Sequence, residues 1–231
     1  MAAKLPLDAV HTTSDDWPFL YVRTDTFPWT YALVLAGVLL LALLLTPWAF
    51  GRQAMTEHFD GVLFLMGAAF LLLETRSVTS LALLLGSTWV VNSAVFFGIL
   101  LLALLANLAA SRWQFNNPLP WFAALVVTSL LLWFVDVAWL NRFPLPVRVG
   151  LGTLLNALPI GCAGIVVSML LGRSRHPPAA LGSNLLGSVV GGCLEYLSMF
   201  VGLRALVLMA LGLYLGSLWL LLRRPAPSVT A

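Results

Sequence analysis

Residues 29–50 read WTYALVLAGVLLLALLLTPWAF, without one charged side chain. Such a run is apolar on every side, so it lacks the polar face that a water-exposed helix needs. About 20 apolar residues are what a helix needs to cross the hydrocarbon of a bilayer. Similar runs follow at 61–86, 89–110, 121–140, 147–171, 179–201 and 205–222. Turn signals separate them, at Asn116-Asn117-Pro118-Leu119-Pro120 and Pro144-Leu145-Pro146. Backbone groups in lipid must be satisfied within the segment, which selects helices. The expected fold is therefore all-α: a polytopic integral membrane helical bundle of about seven transmembrane helices. Trp29 and Trp48 fall where an interfacial aromatic belt belongs.

Charged residues are 9% of the chain, against about 25% in soluble domains. Residues 1–28 form a polar N-terminal segment, 29–224 the bundle, and 225–231 a short tail. The N-terminal segment has no apolar centre, so it does not read as a cleavable signal peptide. It is too short to bury a core of its own. The net charge of +3 comes from scattered cations with no basic run, which argues against nucleic acid and for helix-end anchoring. Orientation stays open. The N-terminal side collects Lys4, Arg23, Arg76, Arg142, Arg148 and Arg204, and the other side Arg52, Arg112, Arg173, Arg175, Arg223 and Arg224.

Ser183, Gly187, Gly191 and Glu195 recur every four residues, with Asn184, Ser188, Gly192 and Tyr196 beside them. That spacing puts each row on one helix face, where small side chains admit a second helix at close range. Gly152, Asn156, Gly164 and Ser168 give the fifth run a similar stripe. These two helices are expected to pack against each other or against a partner chain. Asn92, Asn107, Asn156 and Asn184 are expected to make interhelical hydrogen bonds.

Glu74, Arg76, Asp136 and Glu195 lie in or near the apolar runs. Each would cost about 2.5–3.5 kcal/mol facing lipid, so each should pair, point inward or reach an interface. Asp136 stands six residues before Arg142, about 9 Å of helix, and suits an interface. Two residues apart, Glu74 and Arg76 do not face each other on one helix, and Glu195 is the candidate partner for Arg76. The readings are an ion pair that fixes helix register, or a site for a cation or proton.

Cys162 and Cys193 lie in apolar runs, and His11, His58 and His176 in loops. None has metal-ligand spacing, and no P-loop, nucleophile elbow or dinucleotide turn is present. No metal, cofactor or catalytic group is expected.

Three stretches resemble the membrane domain of bacterial membrane-bound spermidine synthase-like proteins. They are TSDDWPFLYVR at 13–23, the run from Gly67 to Asn107, and LGSNLLGSVVGGCLEYLSMF at 181–200. The resemblance implies that 1–28 is the tail of a synthase-like domain whose cofactor loop and catalytic acids have no counterpart here. It also implies a bacterial inner membrane and a cytoplasmic N-terminus. The expectation is a non-enzymatic membrane subunit or anchor that assembles with a partner or with itself. The alternative is a small transporter or channel for a cation or polyamine.

Overall fold

The computed structural model describes residues 29–86, 89–113, 115–135 and 137–224. The polar N-terminal segment, the tail beyond Arg224 and Asp136 lie outside the described residues. The helices are α1 (Trp29–Phe50), α2 (Arg52–Glu57), α3 (Gly61–Leu85), α4 (Trp89–Trp113) and α5 (Leu119–Phe134). After a 3-10 segment, Val137–Arg142, come α6 (Leu145–Gly172), α7 (Pro177–Leu194), α8 (Ser198–Val201) and α9 (Leu203–Leu222). Among the described residues there is no strand. Six helical segments are long and apolar enough to cross a membrane, and α5 is a shorter seventh apolar helix. The chain is an all-α integral membrane protein whose apolar helices belong in a lipid bilayer.

The sequence marks most helix ends. Pro118 and Pro120 open α5, Pro146 sits in the first turn of α6, and Pro177 and Pro178 open α7, where missing N–H groups cost nothing. Asp60 caps α3, its carboxylate accepting from the Val62 and Leu63 amides at 3.0 and 3.1 Å. Arg224, after α9, pairs with the same carboxylate. The polar run Glu74-Thr75-Arg76-Ser77 (ETRS) lies within α3 without breaking it. Thr75 Oγ1 bonds back to the Leu71 carbonyl at 2.9 Å, and Thr79 to the Thr75 carbonyl at 3.0 Å. Arg76 and Ser77 are buried against the bundle.

Helix α3 is the hub. Ser183 Oγ accepts from the Asp60 amide at 3.0 Å, Asn184 donates to the Leu63 carbonyl at 3.0 Å, and Ser188 to the Gly67 carbonyl at 3.3 Å. The matched advance along both helices shows that α3 and α7 run parallel. Ser217 Oγ donates to the Val62 carbonyl at 3.1 Å while Gly216 meets Leu65, so α9 runs antiparallel to α3. Gly152 of α6 receives Leu81 and Leu84 from the far end of α3. Gly161 and Gly164 of α6 meet Leu102 and Ala106 of α4. Between these helices lies a continuous core that includes Leu63, Leu72, Phe122, Ile160, Leu206 and Tyr214, all fully buried.

Two sequence expectations are revised. The fourth span is an α-helix only as far as Phe134, 16 residues or about 24 Å, and the 3-10 segment Val137–Arg142 stands where its last residues were expected. The stripe of α7 packs against α3 rather than α6. Gly187 and Gly191 lie directly over the Phe64 and Ala68 carbonyls of α3, and Gly67 over that of Asn184. A stripe of small residues specifies that some helix comes close, and the topology decides which one.

Candidate functional site

About 21 Å along α3, the hydroxyl- and charge-bearing residues of the ETRS run separate onto different faces. Thr75 turns toward α7, where its side chain meets the Glu195 carboxyl. Arg76, one residue and about 100° further round, turns toward α6. Its NH1 donates to Asn156 Oδ1 at 3.0 Å, and Asn156 Nδ2 in turn donates to the Gly152 carbonyl at 2.9 Å. Asn156 is fully buried and Arg76 nearly so. The expected Arg76–Glu195 pair is therefore replaced by a charge-assisted bond to an amide. The carboxylate sits on the other side of α3.

Glu195 stands where α7 changes character. The helix ends at Leu194, continues as a single 3-10 turn over Glu195–Leu197, and resumes briefly as α8. Gly202, at φ 83°, then reverses the chain into α9, a conformation open to glycine at little cost. Beside this break lies a cavity of about 200 Å³, lined by Thr79, Glu195, Tyr196, Ser198, Met199 and Leu203. Tyr196 rests against Tyr31 of α1, with ring centroids 5.9 Å apart. Breaks of this kind inside membrane helices free main-chain polar groups to face a cavity. Half-buried Glu74 accepts no hydrogen bond from the described residues. The structure thus brings Glu195 to α3 and leaves Glu74, one position before Thr75, off that contact.

Sequence reasoning pointed to Glu195 and to the asparagines. Asn107, Asn156 and Asn184 all make interhelical bonds, the first accepting from Ser168. The side chain of Asn92 is outside the described set. Thr75, Thr79 and Ser198 went unread as site residues, although the four-residue interval between the threonines places both on the face toward Glu195. Ser183, Gly187 and Gly191 lie at the α3 contact. Gly152 lies against α3 and Gly164 against α4.

No family model, curated protein or solved structure matches the chain. The likeness to spermidine synthase-like membrane domains rests on the sequence runs alone.

Proposed function

We propose that the chain is a non-catalytic integral membrane subunit or anchor of the bacterial inner membrane, related to the membrane domain of spermidine synthase-like proteins. It assembles with a partner protein or with a second copy of itself. One observation carries the reading: α1 rests mainly on α7, and only 6% of its span is buried. Its neighbours' polar and small residues are already engaged within the bundle. Leu33, Leu40 and Leu44 therefore face outward from a helix that contributes little to the core. The least buried surface for a partner helix is α1, which shifts the expected contact away from Gly187 and Gly191.

Purification of the full chain in mild detergent is expected to yield a homo-oligomer or a stoichiometric partner. Cysteines introduced by Leu33→Cys and Leu40→Cys should cross-link across that contact. A lone monomer with no cross-link rejects the reading.

The Glu195 cavity favours a second reading, transport of a small cation such as a polyamine. A carboxylate beside hydroxyls at a helix break is suited to an ammonium group. In proteoliposomes, Glu195→Gln should lower cation uptake at least tenfold, while Glu74→Gln leaves it near normal. Absence of uptake by the native protein ends this reading.

A further inference from the structure

The helix directions gather α2, the N-termini of α3 and α7, and the C-termini of α4, α6 and α9 at one end of the bundle. That end carries Arg52, Arg112, Arg173, Arg175, Arg223 and Arg224 against only Glu57 and Asp60 among the described residues. Asp60 is taken by Arg224, which leaves Glu57, bonded to Gln53 at 3.1 Å, as the one acid against the other five arginines among the described residues. At this end the last turns of α4 and α6 open into a cleft of about 770 Å³.

The cleft has a graded lining. At its outer edge is Arg173, whose NH2 donates to the Phe115 carbonyl at 2.8 Å, which fixes the guanidinium there with further N–H groups to offer. Asn107 and Ser168 lie deeper, about 9 Å below the end of α4 at Trp113. Asn107 accepts from Ser168 through its amide oxygen, which leaves its NH2 as a donor. Met169 and Ala110 supply apolar wall. Among the described residues no carboxylate lines the cleft. Cation outermost, amide donor one headgroup-length inward and apolar wall beside both is the order in which a phospholipid presents phosphate, ester carbonyls and acyl chain.

From this we infer that the α4–α6 cleft is a binding site for an anionic membrane phospholipid. Arg173 holds the phosphate, Asn107 donates to the glycerol ester region, and the acyl chain runs down the α4–α6 seam into the bilayer. The other arginines of this end raise the local concentration of anionic headgroups without selecting a position, because exposed charges act at long range and are screened by salt.

Native mass spectrometry of the full chain, released from detergent with added phosphatidylglycerol or phosphatidylcholine, tests the site. Phosphatidylglycerol should be retained preferentially, with Arg173→Gln weakening its binding about tenfold through loss of a charge-assisted bond. Arg173→Lys should recover part of that loss, and Arg52→Gln, at the same end but off the cleft, should change binding less than twofold. A second variant, Asn107→Leu, removes the donor and fills the cleft, and it should lower binding comparably. Equal retention of the two lipids by the native chain overturns the proposal, whatever the variants do. So does a loss on Arg52→Gln that matches or exceeds that on Arg173→Gln. Displacement of phosphatidylglycerol by equimolar inorganic phosphate would mark a free-anion site and overturn the lipid assignment.

Discussion

Gly187→Ala and Gly191→Ala are each expected to destabilise the solubilised bundle by about 1–3 kcal/mol, and the double variant is expected to lose the folded state. The reason is the nature of the obstacle. A Cβ at either position would fall inside the van der Waals envelope of a main-chain carbonyl, that of Phe64 or of Ala68. A side chain can rotate out of the way, but a helix backbone cannot, so α3 and α7 must separate. Separation also stretches the Asn184–Leu63 and Ser188–Gly67 hydrogen bonds, which depend on the same close approach. Gly37→Ala and Gly212→Ala supply the contrast, because a Cβ at either site meets nothing within 4 Å. Alanine at an open helical site favours the helix by about 0.5–1 kcal/mol, so these two should melt at or above the native temperature. Thermal aggregation followed by fluorescence-detected gel filtration separates the four. If Gly187→Ala kept its melting temperature but shifted from oligomer to monomer, the stripe would face another chain, and the intramolecular packing described above would be wrong.

The spans were legible because hydrocarbon leaves the chain little choice. A run such as 29–50 can satisfy its backbone only as a helix, and α1 occupies that range. The third and seventh runs came out as α4 and α9 with ends displaced by a few residues. What stayed hidden was whatever depends on neighbours. Glu195-Tyr196-Leu197 contains no helix breaker, and the 3-10 turn there is followed by a left-handed reversal at Gly202, seven residues downstream. The partner of the α7 stripe was unreadable for a different reason. At Gly187 and Gly191 the close approach needs glycine on α7 alone, because α3 contributes carbonyl groups there that any residue carries, and the single Gly67 on α3 makes no stripe. The direction of Arg76 was hidden too. A one-residue step from Thr75 rotates the side chain by about 100°, enough to move it from the carboxylate on α7 to the amide on α6.

That amide is where the second large effect is expected. Asn156→Leu should cost about 3 kcal/mol, because it removes the acceptor and leaves a buried guanidinium N–H facing apolar side chains. Arg76→Met removes the donor instead, and an unbranched thioether can fill much of the vacated volume. Combining the two should recover part of the loss from Asn156→Leu, giving a coupling of about 1–3 kcal/mol in a double-mutant cycle. Asn156→Asp should fall between native and leucine, since it keeps the acceptor and adds an opposite charge but puts an oxygen where the donor to Gly152 was. Strictly additive losses would mean that the Arg76–Asn156 bond does not hold α3 to α6. The hold of α3 on that helix would then rest on apolar packing of Leu81 and Leu84 against Gly152.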